Sequence, residues 1–273
     1  MAITSNTEHI KSNKNLSIQI SLNGLSFCIL NTENHTVEYL KDIVTEKRET
    51  PYKILDLLID AFETEKALQV SFNNIQVIHE NELSTLVPEI LFQEDNLADY
   101  LKFNSKILRS DFISYDTIDI NKSVNIYVPY VNINNYIYEQ FGTFSYKHFS
   151  TVLIETLLKK EQQETDTKMY VHVQNTHFEI VVIKNGQLLL YNSFEYATKE
   201  DFIYYILFTA EQLQLNPDTL ILLFLGQVSE NDALHSIAYK YIRHIRFATR
   251  NDGFKYLEKP KSNYAFFTLI HSL

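Results

Sequence analysis

Leu16-Ser17-Ile18-Gln19-Ile20-Ser21-Leu22-Asn23-Gly24-Leu25-Ser26-Phe27-Cys28-Ile29-Leu30 is the stretch from which the fold is read. Residues 16–22 alternate apolar and polar with period two, the pattern of a half-buried strand. Asn23-Gly24 is a turn signal, because both residues tolerate positive φ in a type I′ hairpin. Leu25–Leu30 returns as a second strand, and His35–Leu40 supplies a third. Pro51 then opens an amphipathic helix with Ile54, Leu55, Leu58, Ile59 and Phe62 on one face. Ile75–Ile78 closes the unit as a strand.

The same order recurs further along. Met169–Gln174 and His177–Lys184 read as strands, Asn185-Gly186 as a hairpin turn, and Gln187–Phe194 as a third strand. Thr198 is placed to cap a helix whose first turn carries Asp201, suiting the dipole there. That helix runs to about Leu215 and stops at Asn216-Pro217. The continuous apolar run Thr219–Leu225 fits a strand covered on both faces. A helix over Glu230–Ile242 and a strand over Ile245–Thr249 follow. A βββαβ unit thus occurs twice, and the spacing predicts a duplicated α/β architecture of mixed sheets flanked by helices.

Between the copies, Ser84–Asn104 reads as a small insert with helical ends. Strand Val124–Pro129, helix Asn132–Phe141, strand Thr143–Lys147 and helix Phe149–Lys160 come next. Gly142 is expected to end the first of these helices in a left-handed cap. Glu161–Lys168 reads as a charged linker. The expected organisation is a flexible N-terminus at 1–15, a first half at 16–165 with an insert near 80–112, and a second half at 166–273.

A chain of 273 residues is long enough for two domains with cores of their own. Its formal net charge of −10 argues against nucleic acid, whose affinity comes largely from Lys and Arg on phosphates. Lys240, Arg243, Arg246 and Arg250 are the nearest approach to a basic cluster, and they read as a solvated face. Cys28 is the only cysteine, which excludes an intrachain disulfide and a thiolate metal cluster; in its apolar run it reads as a small buried hydrophobe. The polar start of the chain lacks a signal-peptide core, and the most apolar windows fall short of a membrane span. The expectation is a cytoplasmic protein.

Nine histidines invite a metal reading. His172 and His177 fall on opposite faces of any straight strand, and no Cys or nearby carboxylate completes a ligand set around them. His235 and His244 lie on opposite sides of a helix. Asp56, Asp60 and Glu63 belong to a solvated helix face, and Asp116 and Asp119 have no acid–base partner nearby in sequence. Nucleophile elbow, phosphate loop and dinucleotide fingerprint are all missing.

From Leu16 onward the element order resembles the actin-like superfamily (the actin, Hsp70 and sugar-kinase fold, ribonuclease H-like in each half). Within it the chain is similar to the type IV pilus assembly ATPase, and as a whole it resembles an uncharacterised bacterial family. The resemblance assigns His172-Val173-Gln174-Asn175-Thr176-His177 to the second phosphate turn. His172 then stands where the superfamily has a Mg²⁺-linked Asp, and Gln174 where it has a phosphate-approaching Gly. The first phosphate turn corresponds to Leu22-Asn23-Gly24, with Leu22 in the acidic place, and the adenosine motif to Leu225-Gly226-Gln227, with one Gly lost. The resemblance therefore implies a degenerate cleft at Asn23, Gly24, His172, Gln174, Gly226 and Gln227, with no catalytic residue, cofactor or metal. It implies a non-catalytic scaffold that binds a protein partner or itself. The rival is an ATP-binding enzyme with rewired ligands, His172 and Glu179 replacing the lost carboxylates.

Overall fold

The alternation of residues 16–30 builds a meander of β1 (Lys14–Ser21), β2 (Gly24–Asn31) and β3 (Thr36–Val44). The computed structural model describes residues 12–273. Helix α1 (Pro51–Thr64) starts where Pro51 fixes a helical φ and the Thr50 side chain accepts from the Lys53 N–H. It buries Ile54, Leu58 and Ala61 and hands over to β4 (Asn74–His79), which lies parallel to β1. Strands β5 (Ser84–Pro88), β6 (Ser114–Ile118) and β7 (Ser123–Tyr127), with α2 (Leu97–Lys102), intervene before α3 (Val131–Phe141), β8 (Ser145–His148) and α4 (Phe149–Glu161).

The second meander is β9 (Lys168–Val173), β10 (His177–Lys184) and β11 (Gln187–Glu195). After it come α5 (Lys199–Gln212), β12 (Ile221–Gly226), α6 (Ala233–Tyr241), β13 (His244–Phe247), β14 (Lys255–Tyr256) and α7 (Phe267–His271). The Thr198 cap of α5 is a full capping box, with Asp201 answering the Thr198 backbone.

The first sheet runs β14-β3-β2-β1-β4-β8 and the second β11-β10-β9-β12-β13. Apart from β14, the two share one plan. A meander turns antiparallel onto its own first strand, and two further strands add parallel on the other side. Helices α1 and α3 pack on the first sheet's outer face, and α5 and α6 on the second's. Between the sheets lies a shared core in which Cys28, Leu30 and Ile78 meet Tyr170, Val181 and Leu225 through α4 and α7. Helix α4 is buried nearly all round, which a helix between two sheets requires.

Several expectations change. Asn15 already belongs to β1, while residues 1–11 of the expected N-terminal segment lie outside the described residues. The insert near 80–112 is larger than helical ends: β5, β7 and β6 form a third sheet with its own small core of Val87, Leu101, Val124 and Ile126. The strand expected at Val124–Pro129 is the centre of that sheet. The 166–273 half does not keep to itself either, because β14 pairs with β3 and α7 packs on β1 and β2. Gly142 ends α3 at positive φ but with ψ −135°, outside the left-handed helical region. Arg250 is buried, donating to Asp252 and to the Ser262 carbonyl, so it leaves the solvated face to Lys240, Arg243 and Arg246. Among the described residues, no helix is long and apolar enough to cross a membrane.

Candidate functional site

The two hairpins aim their turns at each other across the gap between the sheets. In the first, Ser21 pairs with Gly24, so Leu22 and Asn23 are the turn residues and the expected Asn23-Gly24 type I′ turn does not form. Gly24 instead starts β2 at φ +145°, pressed on the backbone of Ile43 and Val44, where a side chain would collide. In the other half, Asn185 and Gly186 both take positive φ, the type I′ geometry, at the far end of β10. Gly226 closes β12 at φ +77° with the Val173 carbonyl directly against it, so this position also excludes a Cβ.

All six positions assigned to the cleft converge. Asn23, Gly24, Gln174 and Gln227 border one cavity of about 40 Å³, and His172, Gln174, Gly226 and Gln227 an adjoining one of about 80 Å³. A third space of about 40 Å³ lies beneath Leu22 and Asn23. Each holds a few waters at most. Further out, Gly226, Gln227, Val228, Lys259 and Tyr264 border an open recess of about 650 Å³.

What divides the cleft is direct bonding between its walls. Asn23 Nδ2 donates to Thr176 Oγ1 at 3.2 Å, turn to turn. His177 Nε2 lies 3.4 Å from Glu80 Oε1 and 3.2 Å from Glu179 Oε1, a cation between two carboxylates from different sheets. Glu179 also meets His172 Nδ1 at 3.3 Å. Gln19 extends the network, donating to Glu80 at 2.7 Å and accepting from Thr268 of α7 at 2.6 Å. At the rim, Arg48 joins Glu82 and lies 3.8 Å from Glu195 on β11.

The electrostatics follow. Burial works against a charged His177, but the Glu179 and Glu80 carboxylates outweigh it and push its pKa well up. Burial would raise Glu179; the attraction of His177 and bonds from both histidines bring it below the usual carboxylate range. Asp42, on β3 in the same cleft, is raised by burial against the lowering effect of its bond from Ser26. His79 and His148 are buried and neutral, lowered to about 3 and about 4 by desolvation. They hold backbone: His148 Nδ1 accepts from the Ser150 N–H at the start of α4, and His79 Nδ1 from the Tyr130 N–H.

In the sequence no carboxylate completes a ligand set around His172 and His177, and Glu179 enters only through the rival reading; in the structure Glu179 reaches both rings and Glu80 reaches His177. The β9–β10 hairpin folds both rings onto Glu179, and Glu80 arrives from the other sheet, directly after β4. The signal was an acidic residue directly after the carboxyl end of a buried strand, where open α/β sheets gather their sites. Asp116 was also given no partner, yet it accepts from the Tyr127 hydroxyl, the His148 N–H and the Thr151 hydroxyl, tying the insert to α4. No group of three His, Cys, Asp or Glu converges on a metal position among the described residues.

The chain is similar in fold to several solved structures. A Bacteroides thetaiotaomicron protein with actin-like ATPase fold and unknown function is 26% identical, with a TM-score of 0.73 over 87% of this chain and 91% of that one. The PilM-PilN type IV pilus biogenesis complex gives a TM-score of 0.59 at 9% identity, covering 94% of this chain and 97% of that one. The ethanolamine utilization protein EutJ from Carboxydothermus hydrogenoformans gives 0.51 at 8% identity, over 94% and 88%. Among curated proteins there is no match. The fold is that of the actin-like ATPases. Residues 4–245 match the family described as Protein of unknown function (DUF3822), and the chain belongs to it.

Proposed function

We propose that the chain is a non-catalytic member of the actin-like fold that works in the cytoplasm by binding another protein, with its ancestral nucleotide cleft closed by its own side chains. The observation that carries this reading is the pair of contacts Asn23–Thr176 and Glu80–His177–Glu179 across the cleft. They occupy the place where a triphosphate would lie between the two turns, and the remaining spaces of about 40 to 80 Å³ are far below the roughly 300 Å³ of an ordinary ligand site. Asp42 and Glu80 also line that place with carboxylates, which oppose a phosphate there, and His177 is engaged by Glu80 and Glu179. Phosphates do not fit this arrangement. In this reading the halves near 16–165 and 166–273 form one rigid body, and the fold is kept for its surface. The PilM-PilN complex offers an example of the same fold in a protein assembly.

A melting scan tests the proposal. A ligand present at a hundred times its Kd stabilises a protein by about 2.7 kcal/mol, which such a scan resolves. Millimolar Mg-ATP should leave the melting temperature unchanged, and phosphate release should stay at the buffer blank. The competing reading, a nucleotide binder with rewired ligands, draws on the recess of about 650 Å³ beside Gly226 and Gln227. An ATP-dependent rise in melting temperature that is lost in Gln227→Trp would establish that reading and end the first.

A further inference from the structure

Strand β5 has one free side in the sheet β5-β7-β6, and β11 has one in β11-β10-β9-β12-β13. These two edges border the same groove. Ser84 and Leu86 line one side and Tyr191, Ser193 and Glu195 the other, around a volume of about 790 Å³ that Lys106 also borders.

The registers show which backbone groups point into it. Val128 donates to the Leu83 carbonyl and Glu89 to the Lys122 carbonyl, so the odd-numbered residues of β5 bond to β7. In an antiparallel pair the residues between them direct N–H and C=O the other way. Ser84 and Leu86 therefore face outward. On β11, Tyr196 donates to the Thr176 carbonyl, which assigns the even positions to β10 and leaves Tyr191, Ser193 and Glu195 outward. The Ser193 N–H is taken by Asn192 Oδ1, and the other outward groups have no protein backbone partner among the described residues. Open edges in native sheets are usually covered, shortened or broken. The β11 bulge falls at Leu188–Leu190, so 191–195 stays regular.

We infer that this groove is the docking site for an extended peptide segment of a partner protein, which adds to β11 as a further strand and carries a Lys or Arg toward Glu195. Main-chain groups in the plane of a sheet select a main-chain occupant, and this is the recurring mode of strand addition. The charge of the occupant follows from the lining, where Glu82, already joined to Arg48, and Glu195 stand beside Lys106 on a chain of net charge −10. The Glu195 side chain is 79% exposed and only loosely engaged by Arg48 at 3.8 Å. The inference rests on the protein-binding reading above and names its surface.

A random dodecapeptide library displayed on phage, selected against the full chain, supplies the probe. Selected peptides should be Lys- or Arg-bearing, and N-methylation along them should weaken binding about tenfold at alternate positions only, the period of a strand. Glu195→Pro removes one outward N–H without touching the β10 ladder and should abolish binding. Glu195→Ala keeps that N–H and should cost about threefold, the charge alone. Unchanged melting temperatures in both variants exclude a folding defect. Peptides indifferent to Glu195→Pro, or without period-two sensitivity, overturn the groove while leaving the protein-binding reading intact. An empty selection, or a chain that fills the groove by dimerising with a second copy, overturns it too. An ATP-dependent stabilisation would end the earlier reading without moving these results.

Discussion

His177 is held as a cation between Glu80 and Glu179, and its protonation gives the cleft a definite pH response. A raised histidine contributes its full stability below the unfolded value of about 6.5 and loses it as pH climbs toward the folded value. Glu179 is lowered, so its share is present above about 4.5 and is lost as pH falls. Urea midpoints should therefore fall from pH 7 to 9 as His177 loses its share, and should also fall below about pH 6.5, where the unfolded forms of the buried, neutral His79 and His148 take up protons first, so the maximum lies near pH 6.5 to 7. His177→Gln should flatten that upper slope and cost about 3–5 kcal/mol at pH 6, since two buried carboxylates lose their counter-charge. An unaltered slope in the variant would place the titration elsewhere. Cys28, with its thiol pushed up to about 12 by burial, was legible as a small core residue. Glu80 was not, because its partner is far away in sequence. The two Asn-Gly pairs are more instructive. The Asn185-Gly186 pair follows its local preference, while Gly24 is governed by the backbone of β3 pressing on it.

Helix α4 shows what an element gains by lying between two sheets. Phe149, Leu153, Ile154, Leu157 and Leu158 are all buried, so it has almost no solvent face. Leu157→Ala should cost about 2–5 kcal/mol, with the result read from denaturant midpoints. Tyr52→Ala, at an exposed position of α1, should stay within about 0.5 kcal/mol. Equal effects would mean that the central helix does not couple the halves. The long elements were legible because periodicity accumulates over many residues. Strands β5 and β6 were not, since five residues apiece give little alternation and Asp116 interrupts one of them to reach α4. Strand β14 has two residues and no pattern at all.

Over the whole molecule, residues 250–273 act as a strap from the second sheet back to the first. Gly226 of β12 donates to the Tyr264 carbonyl, β14 covers the β3 edge, and Ser272 bonds Ser17 at 2.6 Å. A variant lacking residues 254–273 should lose Phe267, Leu269 and Ile270 from the shared core. It should melt well below the full chain and bind a hydrophobic dye. Full-chain stability in that variant would show the strap to be dispensable. Element order made the two-sheet plan visible in the sequence, whereas the strap is set by contacts across nearly the whole chain and leaves no local mark.

Those contacts bear on how the molecule is made. Ser17 and Ser272 are 255 positions apart, so the first sheet leaves the ribosome long before the segment that completes it. At roughly 5–20 residues per second, β1 to β3 wait ten seconds or more with an open edge and an uncovered apolar face. Contacts of such separation also slow the final closure. The newborn chain therefore passes through an interval in which its first half is formed but sticky, and holding chaperones have that interval in which to engage it.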